Sequence, residues 1–227
     1  MSNVLIIGDT HAPCMHKGYP DFLRDRLAEY DIDHIVHIGD LVDNCALSFH
    51  LKKPNLKDPV KEQKLAQKQV DRIVKVCNGY SVDLLIGNHD ALPYRWANEV
   101  GVPEAMLRDM SQVWNLPSSW VVHKRFSMID IDGVLYQHGD RGKGGRMAAA
   151  NNAKVEFRSV VQGHLHAQAG IEFHANHEKR VFGMQVGCGV DSKHAAMEYG
   201  IKFSSRPILG CGVVIGGTTP IFEPMLL

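Results

Sequence analysis

Residues 4–11 read VLIIGDTH: four apolar residues closed by a glycine, then an aspartate and a histidine two positions apart. A short apolar run bounded by a turn signal reads as a strand buried on both faces. The same arrangement returns along the chain. HIVHIGDLVD (34–43) is a second strand ending in Asp40 and Asp43, and VDLLIGNHD (82–90) a third ending in Asn88, His89 and Asp90. FSMIDIDGVLYQHG (126–139) reads as a hairpin turning at Asp132-Gly133 and delivering His138. A strand at 158–162 leads into GHLH, with His164 and His166. Further strands are expected at 180–187 and 210–216, and helices at 20–30, 58–77, 93–99, 103–112 and 145–156. Strands alternating with helices, then further strands, predict an α/β layered sandwich of one or two mixed sheets covered by helices.

Every strand end in that series carries potential ligands. In open α/β sheets the loops at the carboxyl ends of strands converge on the bound ligand, and glycines beside them allow tight turns and close backbone approach. In extended backbone His164 and His166 point to the same side. Neutral imidazole is a common ligand of transition metals. For that stretch alone, two locally hydrogen-bonded histidines are the alternative.

Composition bounds the rest. The 227 residues are 44% hydrophobic and 22% charged, as in an ordinary globular protein, so one domain over 1–227 is expected. Lys+Arg and Asp+Glu both number 25, so no global charge favours nucleic acid or a membrane surface. The five cysteines include no CxxC pair and read as reduced thiols. MSNVLIIGDT lacks the basic start and long apolar run of a leader or span, so a cytoplasmic protein with no membrane partner is expected.

Taken in order, DxH (9–11), GDxxD (39–43), GNH (87–89), the lone His138 and GHxH (163–166) resemble the motifs of the calcineurin-like metallophosphoesterase family. The resemblance implies a four-layer sandwich of two mixed sheets flanked by helices. It implies Asp9, His11, Asp40 and His166 around one metal ion, and Asp40, Asn88, His138 and His164 around a second, with Asp40 bridging. His89 is left as the acid that protonates the departing alkoxide, oriented by Asp43. The implied cofactors are two divalent ions, manganese first. Iron, zinc, nickel and cobalt also suit a mixed nitrogen and oxygen donor set without thiolate. The implied reaction is hydrolysis of a phosphate monoester or diester by a bridging hydroxide. A small, nucleotide-like phosphate ester is the expected substrate and partner. A nuclease cutting DNA or RNA is the alternative, and a non-enzymatic interaction scaffold a third reading.

Protein serine/threonine phosphatases of this superfamily carry GDxxDRG and GNHE. Here Asn44 and Asp90 stand at the arginine and glutamate positions, which argues against that activity. Another basic source follows His138: DRGKGGR (140–146), where Arg141, Lys143 and Arg146 either grip a phosphate or form a solvated loop. SFHLKKPNLKD (48–58) is expected as a solvated connection, with a lid or rim as the alternative. His34 and His37 are expected to be partly buried or surface groups, His174 and His177 to sit in a surface loop, and His194 to be a marginal cleft residue. Trp96, Trp114 and Trp120 are expected in the core or in helix packing, and the C-terminal residues as one closing strand and a tail.

Overall fold

The computed structural model describes residues 1–49, 54–194 and 205–226. β1 (Val4–Ile7), β2 (His34–His37), β3 (Val82–Leu84) and β4 (Trp120–Val122) lie side by side and parallel. β10 (Gly210–Ile215) and β11 (Thr219–Pro224) extend this sheet antiparallel beyond β1, in the order β11-β10-β1-β2-β3-β4. The second sheet holds β5 (Ile129–Ile131), β6 (Val134–Gln137), β7 (Ser159–Gln162), β8 (Ala169–Ala175) and β9 (Arg180–Val186), in the order β5-β6-β7-β9-β8. Its central strands are parallel and its edge strands antiparallel, so both sheets are mixed.

Alternation along β1 shows how the layers form. Val4 and Ile6 face the second sheet, where Val36, Ile38, Tyr136, Val161 and Met184 close the space between the sheets. Leu5 and Ile7 face the other way. There they pack with Leu23 of α1 (Tyr19–Glu29), Val70 and Ile73 of α2 (Pro59–Val76) and Met110 of α4 (Met110–Val113). Each such fully buried side chain is worth about 1.5–3 kcal/mol. Ala153 of α5 (Ala148–Glu156) packs on Leu135 and Val160, covering the outer face of the second sheet. α3 (Leu92–Glu99) directly follows the end of the third strand's loop. Two mixed sheets flanked by helices result. No helix among the described residues is long and apolar enough to cross a membrane.

Local signals explain the element ends. α2 begins where the Asp58 carboxylate accepts from the Lys61 backbone N–H (2.9 Å), with Pro59 at the first helical position. The helix expected over 103–112 divides into a turn of 3₁₀ helix, Glu104–Met106, and α4, because Leu107 and Asp109 are both extended. The helix expected from 145 starts at Ala148, since Gly142 and Gly145 have positive φ.

Three strands were not expected. β4 is three residues long. β8 is a partly exposed edge strand with no continuous apolar run, and it carries His174, which therefore lies in a strand and not a loop. The expected tail pairs with β10 as β11. Residues 50–53 of the 48–58 connection lie outside the described residues, and Pro54–Leu56 forms a 3₁₀ turn. Trp114 and Trp120 are buried, but Trp96 is 39% exposed and stacks on Phe49. His177 is an exposed surface residue.

His37 is completely buried rather than partly so. Its Nε2–H donates to Thr10 Oγ1 (3.2 Å) and its Nδ1 accepts from the Gly39 N–H (3.3 Å), a neutral ring with both nitrogens used. Burial holds its pKa down at about 4, despite the opposing pull of Asp9 and Asp40. In the unfolded chain the ring takes up a proton below about pH 6.5. As pH falls through that window the unfolded state gains a proton that the folded state refuses, so stability is lost on acidification. Between pH 7 and pH 5 the loss should be roughly 2 kcal/mol. Denaturant titrations should therefore show a shallower pH dependence for His37→Leu than for the parent. Equal slopes would remove His37 as the cause.

Candidate metal centre

The donor residues sit just beyond the carboxyl ends of β1, β2, β3, β6 and β7, at the same edge of the two facing sheets. The chain turns sharply there. His11 (φ 46°), Asp40 (φ 50°) and His164 (φ 68°) occupy left-handed backbone, which costs a non-glycine residue about 1–2 kcal/mol. Such conformations persist only where the surrounding structure enforces them.

Three groups of side chains could each hold a metal ion: Asp9, His11 and His166; Asp40, His138 and His164; and His11, Asp40 and His89. In the first, His166 Nε2 lies 3.1 Å from Asp9 Oδ2 and from His11 Nε2. In the second, His138 Nε2 lies 3.1 Å from Asn88 Oδ1. Asp40 joins the groups: its Oδ2 is 3.4 Å from both His11 Nε2 and His138 Nε2. Its Oδ1 accepts from the His89 backbone N–H at 2.8 Å. The structure thus brings together all seven residues that the motifs single out as donors.

What lies behind the rings fixes which nitrogen faces inward. His11 Nδ1–H donates to Asp43 Oδ1 (2.8 Å) and His138 Nδ1–H to the Ile38 carbonyl (3.0 Å), so both Nε2 atoms turn lone pairs toward carboxylate and amide oxygens. Acceptors facing acceptors create strong affinity for a cation. Without a metal ion a proton fills that role: burial opposes charge on both rings, but Asp40 and Asp9 raise the pKa of His138 to about 10, and Asp40 and Asp43 hold that of His11 well above the usual value, so a metal ion binds there by displacing the Nε2 protons. Asp40 is held well below the carboxylate range by His138 and His11 despite its burial. Nitrogen and oxygen donors of this kind fit a divalent transition ion, and no cysteine joins the groups.

His89 is held separately. Its Nδ1–H faces the Asp43 carbonyl (2.7 Å) and the Asp43 carboxylate (3.2 Å), while its side chain remains 25% exposed. Burial and the nearby His11 oppose its protonation, but Asp43 and Asp40 prevail and raise its pKa. Asp43 therefore holds two imidazoles, His11 as well as His89. Thirty-two positions separate Asp43 from His11, and no local pattern signals that contact. Asn44, at the position of the arginine in protein phosphatases, donates to the His89 carbonyl (3.0 Å).

Two glycines make room for the carboxylates. A Cβ at Gly87 would overlap Asp40 Oδ1, and one at Gly163 would overlap Asp9 Oδ1. Gly163→Ala should displace Asp9 and weaken metal binding by about 10–100-fold, the usual effect of disturbing a ligand's support. Calorimetric metal titration tests this, and parental affinity in the variant would contradict it.

Asp40, Asn88, His89, His164 and His166 open onto a cleft of about 420 Å³ that Leu165, Ala167 and Gln168 complete. The basic loop does not reach it. Arg141 and Lys143 line a separate cavity with Gln137 and Asn152, and Arg146 lines a third space that adjoins the cleft. Asn152 explains the placement: its Oδ1 accepts from the Lys143 N–H (2.7 Å), tying the loop back against α5. His194 Nδ1 is 3.1 Å from Cys14 Sγ and is not among the residues lining the cleft.

No curated protein matches the chain. Its fold is similar to that of vacuolar protein sorting 29 from Cryptosporidium parvum, at 14% identity and a TM-score of 0.46, covering 95% of this chain and 86% of that one. A single-substitution variant of Vps29 from Entamoeba histolytica gives 16% and 0.40, covering 99% of each chain. Chaetomium thermophilum Vps29 gives 12% and 0.44, covering 95% and 86%. Similarity this low bears on neither the activity nor the partners of this chain. The sequence profile described as calcineurin-like phosphoesterase matches residues 2–168, which contain all the donors above. The chain belongs to the calcineurin-like phosphoesterase family.

Proposed function

We propose that the chain hydrolyses phosphate esters at a centre for two divalent ions. Asp9, His11, Asp40 and His166 would hold one ion, and Asp40, Asn88, His138 and His164 the other. The observation that carries this reading is Asp40 Oδ2, equidistant at 3.4 Å from an inward-facing imidazole of each group. Manganese is the first choice, and iron, zinc, nickel and cobalt suit the same donors. When bound, such ions neutralise phosphoryl oxygens and acidify water, supplying a nucleophile near neutral pH.

The side chains divide the remaining work. Asp43 fixes the ring of His11 and so the direction of its Nε2. His89, with Nδ1 committed to Asp43 and its charged form favoured by Asp43 and Asp40 over the opposition of burial and His11, would give an Nε2 proton to the departing alkoxide. Its place in the wall of the cleft puts that proton where an ester oxygen would enter. A small ester suits a cleft of this size. Arg141 and Lys143, lying outside it, lend no support to a strand-binding nuclease.

Assays with p-nitrophenyl phosphate, bis-p-nitrophenyl phosphate, cyclic nucleotides and single-stranded DNA test the reading. Turnover of a small ester should appear with added manganese and vanish with chelator. Metal-loaded protein inert toward the whole panel would favour a scaffold instead, and preference for the DNA strand would favour the nuclease.

A further inference from the structure

A cavity of about 310 Å³ lies between the start of α5 and strands β8 and β9. Ala167 and Gln168 line both this cavity and the cleft of the metal centre, so the two spaces share a wall. Met147, Ala149, Ala150 and Ile208 make the cavity largely apolar. Arg146 and Glu172 both line it and offset one another, so it offers no surplus charge to a second phosphate.

One buried polar atom is left over there. Gln137, Gln162 and Gln185 stand in register across β6, β7 and β9. Gln162 Oε1 accepts from Gln137 Nε2 (3.0 Å) and Asn152 Nδ2 (2.8 Å). At the end of the row, Gln185 donates through Nε2 to the Gly163 carbonyl. Its Oε1 has no partner among the described residues, although the side chain is only 6% exposed and lines the cavity. Gln162 Nε2, also unpartnered, belongs to a fully buried residue that does not line the cavity. A buried acceptor without a donor destabilises the fold, and a ligand N–H or O–H at that point removes the penalty.

We infer that this cavity receives the alcohol portion of the ester, and that it selects an uncharged, hydrogen-bond-donating group of nucleoside size. The inference rests on the proposed phosphoesterase reading. The volume is at the low end of small-molecule pockets, which run from about 300 to 1,000 Å³, enough for a base and sugar but not for a polymer. A nucleobase matches the lining: flat apolar faces for the alanines and an N–H for Gln185 Oε1.

The test separates binding from turnover. Adenosine, guanosine, cytidine and uridine are titrated calorimetrically into the full chain, and into Glu172→Phe and Met147→Trp, which fill the cavity from exposed positions on its two sides. At least one nucleoside should bind with a dissociation constant of about a millimolar or tighter, and each variant should weaken it about tenfold or more. For the corresponding mononucleotide, the KM of the variants should rise about tenfold while kcat holds within about threefold. Binding of no nucleoside, binding unchanged in both variants, or a fall in kcat at constant KM would each overturn the inference. Nucleoside binding without any turnover would uphold the cavity and refute the hydrolase.

Discussion

His89→Ala keeps its metal and loses roughly 10²–10⁴-fold in kcat, the usual contribution of a positioned proton donor. His89 is bonded through Nδ1 to Asp43, and its link to Asp40 runs through its backbone N–H, so truncating the ring removes an edge contact with the His11 ring but leaves the His11–Asp43 bond and the seven donors of the two proposed sites in place. The loss should depend on the leaving group. A p-nitrophenolate departs readily without a proton and should show the smaller effect, whereas an alkyl ester should show the full one. Unchanged turnover of an alkyl ester by the variant would rule His89 out as the acid. Asp43→Asn should behave differently, because Asp43 also holds His11: metal affinity and rate should both fall.

Asp40→Asn is expected to cost more in metal than any other single change. The substitution keeps the shape and leaves an oxygen to accept the His89 N–H, so the loop should survive. It removes the anion that faces His11 and His138 at equal distance. Metal affinity should fall by more than the about 10–100-fold usual for outer-shell partners, and turnover with it. Full occupancy by two ions in the purified variant would show that Asp40 is not shared.

The sequence made the chemistry easier to read than the framework. The donors sit in short motifs at strand ends, where glycine, carboxylate and imidazole are neighbours in the chain, so Asp9 with His11 and His164 with His166 stand out without any knowledge of distant contacts. A strand buried on both faces, such as VLII, announces itself by continuous apolar residues. β8 does not, because it is a partly exposed edge in which apolar and polar residues alternate. Long-range pairing is silent in the sequence. The bond from His11 to Asp43, the tie from Asn152 that draws Arg141 and Lys143 away from the cleft, and the complete burial of His37 all arise from packing between layers. Trp96, expected in the core or in helix packing, stands partly exposed on α3, its Nε1–H satisfied by the Leu47 carbonyl and its ring stacked on Phe49.

Elemental analysis after loading with manganese and removal of weakly held ions is the most direct measurement of the centre. Two ions per chain, with hydrolysis of a phosphate ester that follows their occupancy, is the predicted result. A folded chain that retains no transition ion would contradict the account at its root.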